Sequence, residues 1–160
     1  VVELHKTYGE PMAQLKTPME LRQHTNGYHK ILFMGNSKNV TAIEELNQNI
    51  RAQLEIIAQD NSACVTQAIP TMLEYLPEGC SKAHGVKELC KHLGIDPTTQ
   101  LLALGDAEND AEMLEMASIG VAMGNGCPMA KDSADYVMGI TNSEGAAGAA
   151  IKKFVPFTNL

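Results

Sequence analysis

The chain has 160 residues, which is room for one ordinary domain or two small ones with a buried core. Hydrophobic residues make up 44% and charged residues 19%, the balance of a globular chain and not of a disordered one. The formal net charge of −7 argues against nucleic acid as a partner, because a duplex demands clustered Lys and Arg.

No run of about 18 apolar residues occurs, so no membrane span is expected. The opening "VVELHKTYGE" reads as neither a signal nor a transit peptide. It has no initiating methionine, which points to a piece of a longer chain.

In chain order, residues 1–27 are ambiguous, with "GEPMAQLKTPMEL" compatible with a helix start. "YHKILFMG" (28–35) reads as a strand. In "NVTAIEELNQNIRAQL" (39–54), Val40, Ile43, Leu46, Ile50 and Leu54 recur at helical spacing and predict one apolar face. "LEIIAQ" and "CVTQAI" read as strands joined by the turn-prone "DNSA", and "TMLEYL" (71–76) as another. Strands flanking one helix imply a small α/β module with a largely antiparallel sheet.

The rhythm changes after Pro77. A helix over 82–93 places Val86, Leu89, Cys90 and Leu93 on one side, with Gly94 where a C-terminal cap belongs. "LLALG" is a strand, followed by an acidic turn and a helix carrying Met113, Leu114 and Ala117. "SIGVAMG" and "DYVMG" are further strands, separated by the short helix "PMAKDSA" with proline at its first position. A last helix begins near Glu144. Strand and helix alternating at this pace predict a parallel sheet with crossover helices, whose ligands lie beyond the carboxyl ends of the strands.

Four cysteines, Cys64, Cys80, Cys90 and Cys127, lie far apart with no C-x-x-C pair. That spacing suits free thiols in a reducing compartment, which points to the cytoplasm, better than disulfides or a zinc site.

The chemistry concentrates in "LLALGDAENDAEML", residues 101–114, where Asp106, Glu108 and Asp110 crowd around Asn109 after a buried strand. Asp106 is expected at the strand's carboxyl edge, with Asn109 and Asp110 in the first turn of the next helix. Converging carboxylate and amide oxygens suit Mg²⁺, a hard ion that needs only one or two protein carboxylates. An ordinary helix N-terminus is the alternative, since Asp and Asn are common caps there.

In "PEGCSKAHGVKEL", Ser81 is a natural N-cap and Lys82 sits in the first turn, where a cation opposes the helix dipole. An anion such as phosphate would compensate it, and so would water. Gly124 and Gly126 flank Asn125 in "VAMGNGCPMAK", a loop able to turn tightly or approach a ligand. There is no G-x-G-x-x-G and no G-x-x-x-x-G-K-[ST].

The ordered set "EGCSKAHGVKEL", "LLALGDAENDAEML", "IGVAMGNGCPMAKDSADYV" and "ITNSEGAAGAAIKKF" resembles the C-terminal part of a haloacid dehalogenase (HAD) superfamily phosphatase, of the Cof-like subfamily with a C2-type cap. The resemblance spans roughly residues 28–155. It implies an α/β fold: residues 78–160 as the C-terminal half of a Rossmann-like parallel-sheet core, and residues 1–77 as the distal part of a smaller α/β cap module.

The resemblance further implies roles. Lys82 would steady the nucleophile and the substrate phosphate, Asp106 would hold Mg²⁺, and Asn109 would contact the phosphoryl group. Asp110 would support the metal site through hydrogen bonds, and Asn142 falls where relatives carry an asparagine near the site. Phosphoryl transfer is mostly positioning plus neutralisation of charge, which these groups can supply. Two positions depart from the pattern: Ala83 stands for the glycine usual after the lysine, and Gly126 for the alanine common after "MGN".

A larger departure is that no D-x-D occurs in these 160 residues, nor the serine or threonine motif that follows it in the family. The nucleophilic aspartate is therefore missing from the sequence as it stands. Without the strand that carries it, "LLALG" becomes an apolar sheet edge, to be completed by a missing N-terminal segment or a second chain. Two functions follow. One is the C-terminal portion of a Mg²⁺-dependent phosphatase for a small phosphorylated metabolite such as a sugar phosphate, inactive alone. The other is a non-catalytic phosphate- or metal-binding module derived from the same fold.

Overall fold

A computed structural model describes residues 5–6, 9, 11–23, 27–34 and 40–156. They build two three-stranded sheets. The first has the order β1 (Ile31–Met34), β3 (Met72–Pro77), β2 (Ala63–Ile69), with both pairings antiparallel. Met72 pairs with Ile69 across the two-residue turn Pro70–Thr71, so β2 and β3 form a hairpin. Ahead of the sheet, a short helix α1 (Pro18–Arg22) is capped by Thr17, whose backbone N–H donates to Glu20 Oε2 at 2.7 Å.

Helix α2 (Val40–Asp60) lies against the hairpin. Its inward positions are Ile43, Asn47, Leu54 and Ala58, buried at intervals of four and seven residues, one and two helical turns. This corrects two expectations. "LEIIAQ" is not a strand but the last turns of α2, because Leu54 and Ala58 continue the helical stripe while Ile56 and Ile57 face outward. Leu46 is also outside the stripe, 51% exposed, and the polar Asn47 takes the inward place by donating to the Pro70 carbonyl at 2.9 Å. The strand expected over 28–35 is confined to Ile31–Met34, and Gly35 lies outside the described residues.

The second sheet is parallel, in the order β4 (Leu102–Gly105), β5 (Ile119–Ala122), β6 (Tyr136–Val137). Helices α3 (Lys82–Leu93), α4 (Pro97–Gln100), α5 (Ala111–Met116), α6 (Pro128–Asp132) and α7 (Ala146–Phe154) connect and flank these strands. Alternation of strand and helix thus yields the α/β architecture anticipated from the sequence. Small side chains let the layers approach: Ala103, Leu114, Ala122 and Ala130 form a buried cluster, and Val121 is fully buried. Among the described residues β4 pairs only with β5, so it is an edge strand.

Helix α3 has the expected caps. Ser81 Oγ accepts from His84 N at 3.1 Å, and Gly94 ends the helix at φ 68°, a left-handed conformation that glycine adopts without strain. Its buried positions are Ala83 and Cys90, with Val86 half-buried; Leu89 and Leu93, expected on the inner face, are 55% and 58% exposed. The inner stripe is narrow because α3 packs on the slender helix α5 and not on a broad sheet face. The last helix starts at Ala146, two residues after Glu144, behind a 3₁₀ turn over Asn142–Glu144.

Candidate functional site

The acidic stretch folds as a 3₁₀ turn over Glu108–Asp110 that precedes helix α5, not as the first turn of that helix. Gly105 explains the shape. A Cβ there would lie 2.5 Å from the Asp110 Cβ, so only glycine lets Asp110 fold back against the strand end. Asp110 Oδ2 then accepts from the backbone N–H groups of Asp106 at 3.0 Å and Ala107 at 2.9 Å. Its other oxygen accepts from Lys82 Nζ at 2.6 Å.

Asp110 is 4% exposed, and that burial alone would raise its carboxyl pKa. The Lys82 ammonium and the two backbone donors outweigh burial and hold it below the usual 3.8. Asp110 is thus a charged strut between the first turn of α3 and the acidic turn. The helix-dipole conflict at Lys82 is answered within the chain, by this carboxylate.

Asp106 points to the other side of the turn. Its Oδ2 accepts from Asn142 Nδ2 at 2.8 Å and from Asn125 Nδ2 at 3.5 Å, while Asn125 Oδ1 accepts from Asn142 N at 2.9 Å. The glycine loop makes this triangle possible: a Cβ on Gly124 would sit 2.6 Å from the Ile140 carbonyl oxygen, so the two loops can close only without one. Asn125 was not singled out from the sequence, although "MGNG" contained the signal. Asn109 lies in the turn with its Oδ1 buried and without a hydrogen-bond partner among the described residues.

Asp106 opens onto a cleft of about 1060 Å³. One wall is the loop ends of the parallel sheet, including Asp106, Glu108, Asn125 and Cys127. The other belongs to α2 and the β2–β3 hairpin, including Asn47, Arg51 and Gln67. Lys82, Asn109 and Asn142 are not part of this lining: Lys82 reaches the site through Asp110, and Asn142 through Asp106. The chemistry of the donor set fits a hard divalent ion at Asp106, where a carboxylate is flanked by two amides and Oδ1 accepts nothing from the described residues. Among those residues, no group of three or more His, Cys, Asp or Glu side chains gathers to hold a metal, at Asp106 or elsewhere. No helix among them is long and apolar enough to cross a membrane.

Sequence reasoning also missed Arg51. Its Nη1 and Nη2 donate to the two carboxylate oxygens of Glu108, at 2.8 Å and 2.5 Å, joining one wall of the cleft to the other.

Comparisons place this geometry among known proteins. The chain is 37% identical over 154 residues to the chloroplastic endoribonuclease YBEY of Arabidopsis thaliana, covering 96% of this chain and 25% of that protein. It is 33% identical over 102 residues to the 5-amino-6-(5-phospho-D-ribitylamino)uracil phosphatase YcsE of Bacillus subtilis, covering 64% of this chain and 40% of that protein. A solved haloacid dehalogenase-like hydrolase from Bacteroides thetaiotaomicron superposes with a TM-score of 0.64 at 30% identity, over 89% of this chain and 50% of that one. The chain therefore spans half or less of the length of each of these relatives. The model of the haloacid dehalogenase-like hydrolases matches residues 5–149, and with the parallel sheet and its acidic turn in view, this chain belongs to that family.

Proposed function

We propose that the chain supplies the metal- and phosphate-holding half of a Mg²⁺-dependent phosphomonoester phosphatase acting on a small phosphorylated metabolite. The observation that carries the reading is the Lys82–Asp110–Asp106 network at the carboxyl end of β4, with Asp106 opening onto the cleft. The name of the Bacillus subtilis relative, a phosphatase of a phosphorylated ribityl compound, supports this substrate class.

Mg²⁺ would be held by Asp106 and would neutralise charge on a phosphoryl oxygen. Asn125 and Asn142 orient the Asp106 carboxylate by hydrogen bonding. Lys82, anchored by Asp110, holds positive charge beside the turn; Asn109, in the same turn but outside the cleft lining, would reach a phosphoryl group only if the turn opened. Residues 78–160 serve as the half-core and residues 1–77 as the capping module that covers the cleft.

The attacking carboxylate is not among these 160 residues, which contain no D-x-D. A strand paired to the free edge of β4 would bring it beside Asp106. That absence also favours a second reading, a non-catalytic module that binds metal and phosphate.

Thermal unfolding with and without Mg²⁺ tests the metal site: Mg²⁺ is expected to raise the Tm, and Asp106→Ala to abolish the rise. An equal rise in the variant overturns the assignment of Asp106. Phosphatase activity measured on this chain and on a longer form of the same protein separates the two functions. Turnover only in the longer form supports the half-enzyme, and turnover in neither supports the binding module.

A further inference from the structure

We infer that Arg51 and Glu108 form a clasp that seats the α2 wall of the cleft on the acidic turn, which makes Arg51 a positioning residue for the site. Three observations converge on this pair. It is the only side-chain ion pair between the two sheet layers among the described residues; every other pair there joins residues of one layer. It is bidentate, so it fixes orientation as well as distance. And it is shielded, with side chains 26% and 18% exposed, so solvent screens it less than a surface pair.

The location gives the clasp its consequence. Among the described residues the chain passes between the layers once, at residues 77–81, where Glu78 N donates to the Ser62 carbonyl at 2.8 Å. The layers also meet where β2 packs on the Glu108–Asp110 turn, but α2 stands across the open cleft of about 1060 Å³ from that turn, and the Arg51–Glu108 pair is the ion pair that ties it there. Glu108 stands two residues from both Asp106 and Asp110, so its partner is docked on the same short turn that carries the site. On the other side, Arg51 Nε donates to Glu55 Oε1 at 2.8 Å, which holds the guanidinium against the helix that bears it. The clasp needs no assumption about what Asp106 binds, so its failure and the failure of the phosphatase reading are separable.

The test is a distance distribution between nitroxides at Gln53→Cys on α2 and His92→Cys on α3, both exposed positions, with the four native cysteines replaced by alanine. Circular dichroism monitors the fold of each variant. The clasp predicts one narrow separation in the parent, and a longer, broader distribution in both Arg51→Ala and Glu108→Gln. Arg51→Lys keeps the charge but loses the fork, and is expected to broaden the distribution part-way; it replaces Arg51→Ala if that variant loses its fold. The reversed pair, Arg51→Glu with Glu108→Arg, is expected to restore the narrow separation, a rescue that mere helix packing would not show. Glu55→Ala, which removes only the partner within α2, is expected to leave it unchanged. An unaltered distribution in the single variants, failure of the reversed pair to restore it, or equal broadening in Glu55→Ala overturns the clasp.

Discussion

Around β4–β6, small side chains bring backbones close: Ala103, Ala122, Ala130, Ala146 and Ala150 are all buried, and Gly105 lets Asp110 reach back to the strand end. Around β1–β3 the opposite holds. A few large side chains, Ile43, Leu54, Met72 and Leu73, fill the space under α2, while Ile31, Leu32, Ile56 and Ile57 remain exposed. The first region is built for tight loop geometry and carries the proposed chemistry; the second is a thinner layer whose cleft wall mixes polar side chains such as Asn47 and Arg51 with the apolar Ile69, Pro70 and Leu73. Precision in the site comes from the region where backbone, not side-chain bulk, sets the spacing.

Leu114→Ala probes the tight region most severely. Leu114 is 1% exposed in the centre of the small-residue cluster, and the cavity left among rigid neighbours should cost about 2–5 kcal/mol in denaturant unfolding. A loss under about 1 kcal/mol would mean that this region collapses around the gap as readily as a loose core.

Asp110→Asn comes next. It keeps the shape but removes the charge that Lys82 and the two N–H groups select, at an expected cost of about 1–3 kcal/mol at neutral pH. The sign with pH follows from the lowered folded pKa. The stabilisation is complete above the ordinary value of 3.8 and is lost as pH falls from there through the folded value. Denaturation curves of parent and variant, followed from neutral pH into acid, should therefore converge below 3.8. A gap that persists in acid would locate the effect in packing.

The smallest effect is expected at Leu89→Ala. The side chain is 55% exposed, so the unfolding free energy should move by no more than about 0.5 kcal/mol. A loss as large as that of Leu114→Ala would show that a further element covers α3.

Much of the parallel region was legible in the sequence. Ser81 and Gly94 bound α3 to the residue, Pro128 opened α6, and the acidic stretch lay at the end of a strand as expected, because caps and turns are written in adjacent residues. The second half of α2 was misread because Leu54, Ile56 and Ile57 satisfy strand and helix patterns alike over so few residues, and length alone arbitrates. Leu46, Leu89 and Leu93 were misplaced for a related reason: hydrophobicity says which residues prefer burial, but the partner surface decides how wide a stripe is covered.

By itself the sequence carried the resemblance to the family, the expectation of a parallel sheet and the candidates Lys82, Asp106, Asn109, Asp110 and Asn142, since "SK" and "GDAEND" are local patterns of adjacent residues. Asp106 lines the cleft as expected from its place at the strand's end, but only the tertiary structure decided that Asp110 turns to Lys82 and that Arg51, 57 residues from Glu108 in sequence, closes across the cleft. The reason is physical: a carboxylate's partner depends on what packing brings within about 3 Å, and no spacing along the chain encodes a contact between separate layers.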